Sequence, residues 1–195
     1  MAYYVPGKFV YLATPHTASS STITVFRKWE RDRGFGREIK THHILLADIK
    51  KQLQGHPHLP QITNELVWTV LRNPYDLIVS WWLRRGVPRG RSDFRSFARS
   101  WTDEPYVVNG KMYFHLPDAK RVLFFERMEA DFRKLAQDLD LPPIELPQTN
   151  PTPDKKPWQT YYDDEALRIV NERWGSEFES FYDRITSSSM LPKIE

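Results

Sequence analysis

In Leu66-Val-Trp-Thr-Val-Leu-Arg-Asn-Pro-Tyr-Asp-Leu-Ile-Val-Ser80 a strand pattern passes into a helix pattern without an intervening loop. The run up to Leu71 is almost continuously apolar rather than alternating, as in a strand covered on both faces of a parallel sheet. Arg72 ends it. Asn73 is a good helix N-cap, Pro74 suits the first helical position, and Asp76 complements the helix dipole. Leu77, Ile78, Trp81 and Trp82 then form an i, i+1, i+4, i+5 stripe.

The same step occurs twice more. Phe9-Val-Tyr-Leu-Ala13 precedes a pattern in which Ile23, Phe26 and Trp29 share a face. Val122-Leu-Phe-Phe125 precedes Met128, Phe132, Leu135 and Leu139, again at helical spacing. Repeated strand-then-helix units predict an α/β fold with a central, mostly parallel sheet flanked by helices. Shorter helices are expected over Leu45–Leu53, ending near Gly55, and over Ser92–Trp101. Residues 142–157 hold six prolines and read as an extended loop. A last helix carries Leu167, Val170, Trp174, Phe178 and Phe181 on one stripe, with an interruption expected at Gly175 and a frayed tail from Ser187.

Composition narrows the class. A chain of 195 residues with 40% hydrophobic and 27% charged content fits one domain, residues 1–195, with a core of its own. The absence of cysteine removes disulfides, thiolate metal sites and cysteine nucleophiles. A net charge of +3 is too mild to imply nucleic-acid binding by bulk electrostatics. No apolar run approaches the roughly 20 residues of a membrane helix, and Met1–Lys8 lacks a signal core. These features predict a soluble, cytoplasmic protein without nucleic-acid or membrane partners. They are silent on oligomeric state.

Two strand-to-helix junctions carry unusual polar chemistry, at the strand ends where open α/β sheets bind ligands. The first is Thr14-Pro-His-Thr-Ala-Ser-Ser-Ser-Thr22, whose small residues and hydroxyls suit an anion cradle of backbone N–H and side-chain O–H groups. A hydroxyl-rich helix cap without a ligand is the competing reading. The GxxxxGK[ST] pattern and its lysine are absent. At the second junction, a guanidinium closing an apolar strand is costly unless it meets an anion, so Arg72 is a candidate anion ligand. An ion pair with Asp76 is the alternative.

Together the junctions resemble the sulfotransferases that use 3′-phosphoadenosine 5′-phosphosulfate (PAPS). Pro15-His-Thr-Ala-Ser-Ser-Ser21 is similar to the family's 5′-phosphosulfate loop, P-K-T-A-G-T-S, and Arg72–Ser80 to its 3′-phosphate motif, R-N-P-Y-D-R-L-V-S, with Leu77 in place of the second Arg. Phe125-Glu-Arg-Met128 with Asp131-Phe132, and Leu146-Pro-Gln-Thr-Asn150 followed by Tyr161-Tyr162, extend the likeness from Lys8 to about Tyr182. The resemblance implies a three-layer fold of the P-loop type and transfer of a sulfuryl group to an acceptor hydroxyl, such as that of a carbohydrate. It implies that Thr17, Ala18, Ser19, Ser20 and Ser21 hold the 5′-phosphosulfate, and that Arg72 and Ser80 hold the 3′-phosphate. It requires no metal.

Two departures from the family pattern stand in the loop. The lysine that stabilises the leaving oxygen is His16 here, which can do so only as an imidazolium. The loop glycine is Ser19, which conflicts with any positive φ at that position. The resemblance places a catalytic base at His43, five residues before Asp48, with His42 as the alternative, and Lys155 in the loop that covers the nucleotide. Six arginines between Arg84 and Arg99, against the single acid Asp93, read either as a solvated basic face or as a rim drawing an anionic acceptor. The acceptor pocket is expected within residues 86–118. A PAPS-binding protein without turnover and a nucleotide kinase of related fold are the other readings of the same features.

Overall fold

Among the described residues, every strand lies in the first of two structural units into which the chain divides, residues 1–72 with 105–151, and 73–104 with 152–195. The computed structural model describes residues 2–34, 37–39, 45–54, 62, 65–86, 88, 90, 93–100, 113, 115–142, 145–149, 151–152 and 154–187.

The first unit is built on five strands: β1 (Ala2–Val5), β2 (Phe9–Leu12), β3 (Arg37–Ile39), β4 (Leu66–Leu71) and β5 (Arg121–Phe124). Their spatial order is β3-β1-β2-β4-β5. The three apolar runs read from the sequence are neighbours and parallel, β2 with β4 and β4 with β5. The other two strands correct the expectation of a mostly parallel sheet. β1 pairs antiparallel with both β2 and β3, so the sheet is mixed. The tight connection over Pro6–Lys8, with Gly7 at φ 70°, folds β1 back on β2 and leaves no room for a crossover.

Alternate residues of each strand enter different clusters. Tyr3, Val5, Phe9, Tyr11, Trp68 and Val70 pack with Ile23, Phe26 and Trp29 of helix α1 (Ser19–Arg33) and with Met128, Phe132 and Leu135 of α5 (Met128–Asp138). Ala2, Tyr4, Val10, Leu12 and Val67 face Ile49 and Leu53 of α2 (Leu46–Gln54). Helices on both faces account for apolar runs that do not alternate. Aromatic rings dominate the first cluster, with Tyr11 stacked on Trp68 at 4.3 Å and Phe26 edge-on to both. Lys8 Nζ closes the end of α5 by donating to the carbonyls of Leu139 and Asp140 at 2.8 and 3.0 Å.

The second unit holds α3 (Pro74–Trp81), α4 (Phe94–Ser100) and α6 (Asp164–Ser187). Asn73 caps α3 as its residue type predicts, accepting the amides of Tyr75 and Asp76 at 3.0 and 3.3 Å. Past Trp81 the helix widens into a π-turn over Trp82–Gly86. Around Tyr75, Trp158 stacks at 4.8 Å and Phe178 meets it edge-on at 4.6 Å. Its hydroxyl donates to Asn171 at 2.7 Å. The α6 helix runs unbroken through Gly175, against expectation. Its buried stripe of Ala166, Val170, Trp174, Phe178 and Phe181 outweighs the roughly 1 kcal/mol that a mid-helix glycine costs. The expected frayed tail lies mostly outside the described residues, and the described part of 142–157 has no regular structure. Among the described residues no helix is long and apolar enough to cross a membrane.

Candidate functional site

The parallel register decides what can meet at the carboxyl ends of the strands. Leu12 lies opposite Thr69, and Leu71 opposite Phe124. The chain that leaves β2 at Ala13, Arg72 after β4 and Phe125 after β5 therefore emerge side by side. Thr14 and Thr69 fasten the first two strand ends through their hydroxyls at 3.0 Å, and Thr69 Oγ1 also donates to the Leu12 carbonyl at 2.7 Å.

The loop from Thr14 to Ala18 turns tightly, and the turn is made at His16 (φ 60°) and Ala18 (φ 59°, ψ 20°), both left-handed. Ser19 is the first residue of α1 and needs no positive φ, so the feared conflict at that position does not arise. No side chain caps α1, and no acidic residue stands in its first turn. The Thr22 amide donates to the Ala18 carbonyl at 3.0 Å. The amides of Ser19, Ser20 and Ser21 precede that first helical bond, in the position where an α-helix presents partial positive charge.

The predicted loop ligands differ in what they present. Thr17 is buried and donates its hydroxyl to the Thr14 carbonyl at 2.7 Å, which pins the loop. Ser19 and Ser20 are half-buried in the first turn of α1. Ser21 pairs with the Thr149 hydroxyl at 3.1 Å, and the Thr149 amide approaches the same oxygen at 3.4 Å. Thr149 lies in the segment Leu146–Asn150 that the resemblance covers. His16 is half-buried, and its carbonyl receives Arg72.

Arg72 is only 7% exposed. Its Nη1 donates to the His16 carbonyl at 2.8 Å, and its guanidinium carbon sits 4.0 Å from the centre of the Phe125 ring. The Tyr113 hydroxyl donates to the Arg72 main-chain carbonyl. Asp76 forms an ion pair with Lys155 within the second unit. Both side chains of that pair are largely buried. Ser80 of α3 is 2% exposed, in the second unit. Nearby in that unit, the Tyr162 hydroxyl donates to the Tyr75 carbonyl at 3.1 Å. Burial first, then the charge of Tyr75 and Asp76, push its pKa well above the ordinary tyrosine value.

Other expectations meet the structure unevenly. His42 and His43 lie outside the described residues. Asp48 stands in the first turn of α2, where its carboxylate accepts the Leu45 amide at 3.2 Å, a capping arrangement. The basic stretch is partly neutralised: Arg95 pairs with Asp163 and Glu165, and Arg99 with Glu165. Arg89 and Arg91 fall outside the described residues, as does most of 86–118. No group of three or more His, Cys, Asp or Glu side chains gathers as if around a metal ion among the described residues.

Residue type alone does not mark Phe125 and Tyr113, which touch Arg72 through its guanidinium and its main-chain carbonyl. Phe125 had a signal in the sequence, because it ends an apolar run parallel to the one that Arg72 ends. Tyr113 had none. No family model, no curated protein and no solved structure matches the chain.

Proposed function

We propose that the chain is a sulfotransferase that moves a sulfuryl group from PAPS to an acceptor hydroxyl. One observation carries the reading: a buried guanidinium ends β4 and reaches, at 2.8 Å, the loop that leads from β2 into an uncapped helix. Burying a guanidinium at a strand end is costly, and a doubly charged ribose phosphate would be a strong, charge-assisted partner for it. The amides of Ser19, Ser20 and Ser21 and the hydroxyls of the first turn of α1 would receive the 5′-phosphosulfate. Ser80 and Lys155, described in the second unit, are assigned to the donor by resemblance alone.

The reaction is an in-line displacement at sulfur, akin to phosphoryl transfer. The acceptor oxygen bonds to sulfur while the bond from sulfur to the 5′-phosphate oxygen breaks. The acceptor proton passes to the base, assigned by resemblance to His43. The electron pair leaves on adenosine 3′,5′-bisphosphate, where the helix amides and a protonated His16 would stabilise the growing charge. The chemistry needs positioning and charge stabilisation, and no metal takes part in this scheme.

A second reading is favoured by His16 itself, which stands where the resembled family has a lysine: a protein that binds the nucleotide without turning it over. Calorimetry with adenosine 3′,5′-bisphosphate, 5′-AMP and ATP-Mg²⁺ tests the common part. Preference for the 3′-phosphorylated nucleotide supports both readings. Preference for ATP-Mg²⁺ would turn the assignment toward a kinase, and equal or absent binding would remove it. Release of adenosine 3′,5′-bisphosphate from PAPS over a panel of hydroxyl acceptors then separates the enzyme from the binder.

A further inference from the structure

Arg72 has to satisfy two demands at once if it reads a phosphate. One N–H is given to the His16 carbonyl at 2.8 Å, and the plane of the guanidinium must stay fixed for the remaining donors to be aimed. A ring face against the guanidinium restricts its tilt in a way that a hydrogen bond at one nitrogen does not. The Phe125 ring lies 4.0 Å from the guanidinium carbon, within the range in which a cation and an aromatic face attract. The register places this ring there, since Leu71 and Phe124 are partners and the next residue of each strand is Arg72 and Phe125. Phe125 is itself anchored. The Phe124 amide donates to Asp131 Oδ2 at 2.9 Å, the same oxygen that accepts Arg127 Nε at 3.0 Å, so the end of β5 is tied to α5.

We infer that Phe125 is a positioning residue for 3′-phosphate recognition, holding the Arg72 guanidinium flat so that it can grip the His16 carbonyl and the phosphate together. The inference rests on the donor assignment made above and adds to it a determinant of nucleotide specificity. Phe125 touches no reacting atom. Its effect passes through Arg72, so it is confined to ligands that carry the phosphate Arg72 reads. A ring that only filled space would influence every nucleotide alike.

The test compares wild type, Phe125→Leu and Phe125→Tyr by calorimetry with adenosine 3′,5′-bisphosphate and with 5′-AMP, alongside urea unfolding of each protein. Phe125→Leu keeps bulk and removes the aromatic face. Its ratio of affinities for the two nucleotides is expected to fall about tenfold through loss of the bisphosphate, with 5′-AMP binding held. Phe125→Tyr is expected to restore the ratio. An unchanged ratio in folded Phe125→Leu, or an equal loss for both nucleotides, would overturn the inference while leaving the donor assignment standing. A wild-type protein that does not prefer the bisphosphate would overturn both. If Phe125→Leu does not fold, Phe125→Met keeps a large apolar side chain without a ring and is judged by the same ratio.

Discussion

Arg72 Nη1 and the His16 carbonyl, 56 residues apart in the chain, meet at 2.8 Å. The bond joins the residue that ends the central parallel strand to the left-handed turn of the loop before α1. A side chain expected to read a ligand is therefore also part of the scaffold that shapes the other half of the proposed site.

Replacing Arg72 by Ala is expected to weaken adenosine 3′,5′-bisphosphate binding by about 2–4 kcal/mol, the range for losing a charge-assisted phosphate contact. The loss for 5′-AMP should be smaller and trace only the loosened loop. Calorimetry on a variant shown by circular dichroism to be folded makes the comparison. Equal losses for the two nucleotides would mean that Arg72 acts only as a brace.

His43→Ala is expected to leave nucleotide binding intact and to lower turnover by about 10²–10⁴, the usual worth of general-base assistance. Stopped assays with PAPS and a responsive acceptor measure it. A rate that persists in His43→Ala and drops in His42→Ala would move the base by one residue.

Ala18 holds φ 59° and ψ 20° just before α1, a conformation costly for any residue with a Cβ. Ala18→Gly should raise stability by about 1 kcal/mol, read as a higher urea midpoint at unchanged slope. A lower midpoint would mean that the gain in unfolded-state freedom outweighs relief of the turn.

Lys155 and Asp76 form a largely buried ion pair. Lys155→Met removes the ammonium from beside a largely buried carboxylate and should destabilise the protein by about 2 kcal/mol, below the roughly 3–5 kcal/mol of a fully buried pair. Asp76→Asn in the same background should recover part of the loss. Denaturation of the single and double variants checks the coupling.

Burial, then the hydrogen bond to Glu65, push the Tyr4 phenol up to about 12. The unfolded chain releases that proton near pH 10, so between about 10 and 12 the folded state holds a proton the unfolded state has lost. This contribution is complete below pH 10 and is lost as pH rises through the folded value. Urea midpoints should accordingly fall on the alkaline side, and Tyr4→Phe should shallow the fall by about one proton. Tyr3 and Tyr11 are raised by burial in the same direction and leave a remainder in that variant.

The parallel core was legible because strands buried on both faces are written as unbroken apolar runs, and Asn73-Pro74 announced a helix start in plain local chemistry. The flanking strands were harder. β1 is four residues long, and its signal lay in the Pro6-Gly7 turn rather than in the strand. β3 is a three-residue edge, Arg37-Glu-Ile39, with no pattern of its own. At the candidate site the hydroxyl-rich loop and Arg72 stood out by residue type. Which of them face inward did not, since the Thr17 hydroxyl is fixed by a carbonyl three residues away and Ser21 by Thr149 from a distant segment. Pairings such as Arg95 with Asp163 and Glu165 cancel charge that looks unbalanced when the sequence is counted locally.

The strand order β3-β1-β2-β4-β5 has a kinetic consequence. Phe9 pairs with Leu66, and Trp68 with Arg121, so each parallel contact closes a long loop before any ladder energy is returned. His16, Arg72 and Phe125 sit at the far ends of those closures. Binding of the proposed nucleotide should therefore appear late in refolding, in step with the slowest phase, and a nascent chain that stops short of β5 would lack the ring that lies against Arg72.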